Sequence, residues 1–436
     1  MKTLLVLLVF LFVSIVAAFA QHAPIVHTAQ GKLRGKIVKS WTGKPILSFI
    51  GVRFAEPPTG SNRLKDPVPV RPWPQIKDAM EDGPLCLQPG LPAELPSSED
   101  CLFLNVHTKT LRGKQPVMIY FHPGGFVGGT GNNNYTGPQY LLDKDIVLVS
   151  SNYRLGPLGF YSTGDEVIPG NFGLKDQLLV MKWVKENIKH FGGDPDSVTL
   201  FGYSAGAGSV QLHMLSPLSR GLFHRAISSS CSATTPAVLN RYPIPLSRRF
   251  AKLLNCPIGN SQQIQECIQR LPANDIIAAT SKIWLYADSL IIFSVYQAGK
   301  LIAEKSSAPV YFYLFDFDGR YSYRYKLGTN IPYGVGHHDD LLYLFFSANR
   351  SPLFNQTDPE AYMVRTLTSI YTDFAKTGTP SLSETSDTWQ PMAQGHLQFL
   401  RLKNPPKMEE GLPYPQRMHV WESELPLNGP HRQLLY

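Results

Sequence analysis

The chain has 436 residues, of which 43% are hydrophobic, 17% charged and 11% aromatic, a balance that supplies a large core and excludes a low-complexity chain. The formal net charge is +8. Its Lys and Arg are scattered, with no basic run interleaved with aromatics, so the charge serves solubility and no nucleic-acid partner is expected.

In chain order, Met1-Lys2-Thr3 and the apolar run "LLVLLVFLFVSIVAAFA" form a basic start, an apolar stretch and a small-x-small end. That pattern predicts a signal peptide over residues 1–20, cleaved before Gln21, with residues 21–436 as one exported domain. No later stretch is apolar enough for a membrane helix, and "HRQLLY" at the C-terminus is neither a retention signal nor a lipid-anchor tail, so no membrane partner is expected. Five cysteines in an exported chain imply disulfides and one leftover thiol. Cys86 and Cys101 bracket the Pro-rich "LQPGLPAELPSSED", and Cys256 and Cys267 bracket "PIGNSQQIQE". Both read as local pairs around loops with no strong structure of their own, which leaves Cys231 as a buried thiol. Glycosylation sequons stand at Asn134 and Asn355, and a weaker one at Asn349 precedes Pro352.

"PVMIYFH" (116–122) and "DIVLVSSNYR" (145–154) read as buried strands. "DQLLVMKWVKENIKHF" (176–191) has helical spacing, with Asp176 at its start and Lys and His toward its end, as the helix dipole favours. "SVTLFGYS" follows Gly192-Gly193 as another strand, and the alternation predicts an α/β fold with a mostly parallel sheet flanked by helices.

Gly202-Tyr203-Ser204-Ala205-Gly206 then gives G-x-S-x-G between that strand and a helix starting near "AGSVQLHMLS". A nucleophile on so tight a turn needs small neighbours, so that its hydroxyl projects and backbone amides face the substrate; the bland reading is a structural turn. "YFHPGGF" (120–126) ends a strand in Gly124-Gly125, where backbone without side chains can approach an oxyanion; a phosphate loop lacks the required spacing here, and a plain glycine turn is the other alternative. "YGVGHHDDLLYLF" (333–345) offers two adjacent imidazoles, His337 and His338, between which the residues alone do not choose. A metal cluster of His337, His338, Asp339 and Asp340 is set aside, because consecutive residues point in different directions. No metal and no cofactor is expected.

These segments resemble the type-B carboxylesterase family, the carboxylesterase–cholinesterase branch of the α/β-hydrolases. "FGGDPDSVTLFGYSAG" is similar to its nucleophile signature and "EDCLFLNV" (99–106) to its second signature. Further matches, including "GVRFAEPPTGSNRL", "NYRLGPLGF", "GNFGLKDQ", "SAPVYFYLFDFDGRYS", "DFAKTGTP" and "RMHVW", run from about residue 25 to about residue 421. The resemblance implies an α/β-hydrolase fold, Ser204 as nucleophile, His337 as base, an oxyanion hole from the N–H groups of Gly124, Gly125 and Ala205, and disulfides Cys86–Cys101 and Cys256–Cys267. Pro123 stands where the family usually has another glycine.

The family's acid lies between nucleophile and base on a G-x-x-x-[DE]-E-G type turn, and no such turn exists here. The interval between Ser204 and His337 looks about a hundred residues short, with the break near Trp284-Leu285. Glu266, Asp275, Asp288, Glu304, Asp316 and Asp318 are the acids in the interval, and none stands in the expected context. The expected function is a secreted serine hydrolase of small-molecule carboxylic esters acting through an acyl-enzyme, impaired by the absent acid. The alternative is a catalytically silent, esterase-like binding protein. Choline esters are disfavoured, because the loop from Cys86 to Cys101 has no aromatic residue and Tyr203 replaces an acidic neighbour of the nucleophile. Phe126 is read as lining the acyl pocket, with a plain core residue as the alternative. The sequence gives no oligomeric state.

Overall fold

The computed structural model describes residues 23–92, 94–235, 238, 243–280, 291–323, 334–382, 388–392, 396–416 and 418. The signal-peptide residues, the junction at 284–285 and Asp288 lie outside this set. Among the described residues the strands are β1 (Ile25–His27), β2 (Lys32–Arg34), β3 (Lys36–Lys39), β4 (Pro45–Arg53), β5 (Lys77–Asp78), β6 (Leu85–Cys86), β7 (Ser97–Ser98), β8 (Phe103–Thr108), β9 (Gln115–Phe121), β10 (Val147–Ser151), β11 (Gly193–Tyr203), β12 (Arg225–Ser229), β13 (Tyr313–Phe315), β14 (Gln398–Leu402) and β15 (Lys407–Glu410).

Seven of them form the central sheet in the order β12-β11-β9-β10-β8-β4-β3. The β12, β11, β9 and β10 neighbours pair in parallel, and the β10, β8, β4 and β3 neighbours pair antiparallel. An α/β architecture is as expected, but among the described residues the central sheet is mixed where a mostly parallel one was expected, its parallel pairings confined to the half from β12 to β10. There the strands are joined through helices, as parallel pairing requires, whereas β3 turns directly into β4.

Strand β9 shows why this sheet forms. Val117, Ile119 and Phe121 enter one core cluster with Leu178, Val180, Met181 and Trp183 of the helix Phe172–Asn187. Met118 and Tyr120 enter a second cluster with Met363, Val364 and Leu367 of the helix Ala361–Thr377. Side chains alternate across a strand, so an unbroken apolar run fits only a sheet covered on both faces.

Two local expectations need correction. The helix begins at Phe172, so Asp176 is interior and serves no dipole. It is fully buried and receives the backbone N–H of Arg154 at 2.9 Å and its guanidinium at 2.8 and 2.7 Å, because a buried carboxylate needs paired donors. The Cys256–Cys267 disulfide forms, but its segment is not a structureless loop: the helix Ser261–Arg270 begins inside it, with the Asn260 side chain accepting the Gln263 N–H at 2.9 Å. Finally, β13 joins β14 and β15 in a separate sheet. Four of the five β12 residues and all three of β13 are only half-buried. Hydroxyls connect the two sheets: Ser229 Oγ lies 2.8 Å from Tyr313 Oη and 2.7 Å from Tyr371 Oη, and the two tyrosine oxygens are 2.9 Å apart.

Candidate active site

Strand β11 ends at Tyr203 and the helix Ala205–Leu215 begins two residues later, leaving Ser204 alone at the corner with φ 52° and ψ −121°. A non-glycine residue at positive φ outside the helical wells is strained, and it is held here from both sides. The Ser204 N–H donates to the Ser229 carbonyl at 2.9 Å, and its carbonyl accepts the Gly208 N–H at 3.0 Å. The flanking glycines are required. A Cβ on Gly202 would stand 2.2 Å from the Gly206 carbonyl oxygen, and one on Gly206 would stand 2.0 Å from that of Phe121. Ala205 is the first residue of its helix, so its N–H has no intrahelical acceptor.

Beyond β9, the backbone turns at Gly124 (φ 122°) and Gly125 (φ 60°). A Cβ on Gly124 would meet the Gly128 carbonyl oxygen at 1.9 Å, so this loop closes only around glycine. His122 anchors its base: the ring stacks on Tyr153 with centroids 4.2 Å apart, and Nδ1 lies 2.7 Å from the Pro123 carbonyl. The proline tolerated in place of a family glycine thus sits on a fixed segment. Phe126 is half-buried against Phe160, centroids 5.0 Å apart, beside this loop.

His337 comes to the same corner from 133 positions along the chain. Its ring lies 5.1 Å from that of Tyr203, the residue preceding Ser204, and its Nδ1 is 2.8 Å from the Ser230 hydroxyl. Ser230 in turn follows the residue whose carbonyl holds the Ser204 amide. His338 packs beside it: its ring lies 4.1 Å from that of His337, 5.1 Å from Tyr203 and 5.4 Å from Tyr323, and burial followed by the neighbouring His337 charge lowers its pKa to about 3. The two imidazoles differ in their polar partners: His337 Nδ1 has the Ser230 hydroxyl, whereas His338 Nε2 is buried with no hydrogen-bond partner among the described residues.

Two carboxylates follow the histidines. Asp339 braces the turn by accepting from the Ser322 hydroxyl at 2.9 Å, the Tyr323 N–H at 2.8 Å and the Gly336 N–H at 2.7 Å. Asp340 is buried and interacts with the Tyr203 hydroxyl; burial raises its carboxyl pKa to about 7. Of the acids considered between the candidate nucleophile and base, Asp316 is bonded to Arg401 at 2.8 Å and Glu266 to Arg270 at 3.3 Å, while Asp275 lies in the first turn of the helix Ala273–Thr280. Glu304 and Asp318 are exposed.

A sequence model of the carboxylesterase family matches residues 22–289 and 283–421. The chain belongs to the carboxylesterase family. Its enzyme class is that of the carboxylic ester hydrolases. Juvenile hormone esterase of Tribolium castaneum is 32% identical over 504 residues, covering 84% of this chain and 85% of that protein. Esterase FE4 of Myzus persicae is 44% identical over 277 residues, 61% of this chain and 49% of that one, and liver carboxylesterase of Sus scrofa is 40% identical over 277 residues, 59% and 49%. In these last two alignments the chain spans about half the length of the relative. The crystal structure of juvenile hormone esterase from Manduca sexta, with OTFP covalently attached, superposes with a TM-score of 0.80 at 24% identity, over 92% of this chain and 98% of that one, a likeness of fold.

The remaining site residues fall as follows. Cys86–Cys101 and Cys256–Cys267 are bonded, and Cys231 is a buried thiol whose pKa is raised by burial. Asn134 and Asn355 are exposed. Among the described residues no helix is long and apolar enough to cross a membrane. Sequence reasoning missed Ser230 and the contact of Asp340 with Tyr203. Nothing in "RAISSSCS" distinguishes one serine of the run from its neighbours.

Proposed function

We propose that this carboxylesterase-family chain is an exported serine esterase that acylates at Ser204, with turnover limited by how its base is held. Ser204 Oγ attacks the ester carbonyl while the His337 imidazole takes its proton. The N–H groups of Gly124, Gly125 and Ala205 receive the oxyanion, His337 returns the proton to the departing alcohol, and water then releases the acid by the same path. The observation that carries this reading is the His337 ring seated against Tyr203 beside the strained Ser204 corner.

The limitation follows from His337 Nδ1, which bonds a neutral hydroxyl where a triad places a carboxylate. In a serine protease, losing that charge lowers turnover about 10⁴-fold. We take the cause to be an internal segment absent near residues 284–285. Support comes from the family match, which breaks into two pieces meeting at 283–289. The 504 aligned positions with the Tribolium relative also take in only 84% of this chain, so well over a hundred of its positions stand opposite no residue here. Sequencing the transcript across codons 280–290 separates a skipped segment from a chain encoded as it stands.

The substrate is a carboxylic ester without a quaternary ammonium, since the Cys86–Cys101 loop offers no aromatic face. A fluorophosphonate probe tests the whole reading. Stoichiometric but slow labelling is expected on Ser204, abolished by Ser204→Ala. A folded sample that takes no label would favour the silent, partner-binding alternative.

A further inference from the structure

Resting on the reading that the N–H groups of Gly124, Gly125 and Ala205 receive the oxyanion, we infer that Gln88 is a positioning residue that clamps the glycine loop in the geometry those amides require. Gln88 lies outside that loop, two residues beyond Cys86 of the Cys86–Cys101 bridge. Its side-chain Oε1 accepts the Gly129 N–H at 2.8 Å, and its Nε2 donates to the Gly129 carbonyl at 3.0 Å. One side-chain amide thus gives Gly129 the pair of bonds that a neighbouring strand would supply. Nε2 also donates to the Cys86 carbonyl at 3.0 Å, so the clamp is fixed to a buried, cross-linked segment.

Gly129 carries the clamp to the loop. A Cβ there would stand 2.1 Å from the Pro123 carbonyl oxygen and 2.6 Å from His122 Nδ1, so its Cα rests against the 2.7 Å bond between them. A carbonyl can only accept, so Nδ1 donates and the Pro123 oxygen is turned toward the His122 ring. The N–H of a trans peptide points opposite to its C=O, which turns the Gly124 N–H away from that ring. The Gly124 carbonyl accepts the N–H groups of Val127 and Gly128 at 3.0 and 2.9 Å, and this sets the Gly125 N–H in the same way. Glycine backbone rotates with little steric resistance, so these acceptor contacts are what hold both orientations. The Phe126 carbonyl accepts the Gly156 N–H at 2.7 Å, and Gln88 closes the return of the loop at Gly129. The start of the loop is pressed against the helix that follows Ser204, where a Cβ on Gly206 would stand 2.9 Å from the His122 carbonyl oxygen. Donors fixed before charge develops need no reorganisation when it does, and losing one such donor lowers turnover by about 10²–10³.

The test uses the full chain and two probes that lose fluoride to Ser204 Oγ, a fluorophosphonate and its thiophosphoryl counterpart. In the second, sulfur replaces the phosphoryl oxygen that the loop amides would receive, and sulfur accepts hydrogen bonds weakly. Gln88→Met keeps the length of the stem and removes the amide. It is expected to slow the maximal rate of fluorophosphonate labelling about tenfold, leaving the half-saturating probe concentration unchanged and the thiophosphoryl rate within about twofold. Hydrogen exchange over residues 122–130 is expected to quicken. Gln88→Ala is expected to behave in the same way, and each variant serves as the control for the folding of the other. Folded variants that take the fluorophosphonate at the parental rate overturn the inference. So does equal slowing with both probes, which would mark a general loosening with no bearing on the oxyanion donors. If the parent takes neither label, the hydrolase reading falls and exchange alone decides: faster exchange over 122–130 in the variants keeps the clamp, and unchanged exchange removes it.

Discussion

Ser204 and the buried histidines show how single side chains set the behaviour of this protein. His107, His122 and His213 are fully or almost fully buried, and burial lowers their pKa values to about 3, about 4 and about 4. Each stays neutral in the fold but charges below about pH 6.5 once unfolded, so the unfolded chain binds more protons as the solution acidifies. Their stabilisation is complete above pH 6.5 and is lost as pH falls toward 4, at about 1.4 kcal/mol per group per pH unit. Asp340 works the other way. Its carboxyl, raised to about 7, takes a proton in the fold before it does in the unfolded chain, which offsets one histidine between about pH 4 and 7. The melting temperature is therefore expected to fall steeply from pH 6.5 to 4.5. Asp340→Asn is expected to raise it above pH 7, where the native chain buries a charged carboxylate, and to steepen its acid decline. A thermal-unfolding series over pH 4.5–8 measures both, and a flat profile would contradict the assignment of neutral buried imidazoles.

At the scale of elements, the decisive feature is how closely β9, β11 and the helix Ala205–Leu215 approach one another at the Ser204 corner. Gly206→Ala would push a methyl to 2.0 Å from a backbone carbonyl that cannot swing aside. Its cost is expected at roughly 3–4 kcal/mol, with loss of fluorophosphonate labelling in whatever protein remains folded. Labelling at the parental rate would show that the corner can relax. The Cys256–Cys267 bridge closes a segment that already contains a capped helix start, so part of its constraint is duplicated by local structure. Replacing both cysteines by alanine is expected to lower stability by about 2 kcal/mol, toward the lower end for native bridges, and to leave labelling of Ser204 unchanged. Denaturant titration checks the first expectation and the probe the second.

For the molecule as a whole, the gap between β12 and β13 matters most. Two sheets that meet through the hydroxyls of Ser229, Tyr313 and Tyr371 leave half-buried strand edges facing one another, where a further strand would pair backbone groups on both sides. Inserting at residues 284–285 the corresponding segment of a carboxylesterase relative is expected to join the sheets, to raise the melting temperature by several degrees, and to raise ester turnover by about 10³–10⁴ through a direct carboxylate on His337. Unchanged turnover in a folded, inserted chain would mean that the Ser230 hydroxyl already orients the base fully.

Much of this was legible along the chain. The buried strands 115–121 and 147–151, the glycine-flanked corner at Ser204 and the pairing of four cysteines depend on neighbours in sequence, because steric crowding at a turn and apolar periodicity act over a few residues. The helix start at Phe172 was misread for a tertiary reason: Asp176 resembles a dipole charge until Arg154, 22 positions away, is seen to pair with it. Which of two adjacent histidines finds a hydroxyl partner, and which serine of three supplies it, rest on separations of roughly a hundred residues or more. Local chemistry thus determined the candidate nucleophile and its frame, whereas the surroundings of its proposed base were decided only when distant segments packed, since hydrogen bonding depends on where a side chain ends and not on where it lies in the sequence.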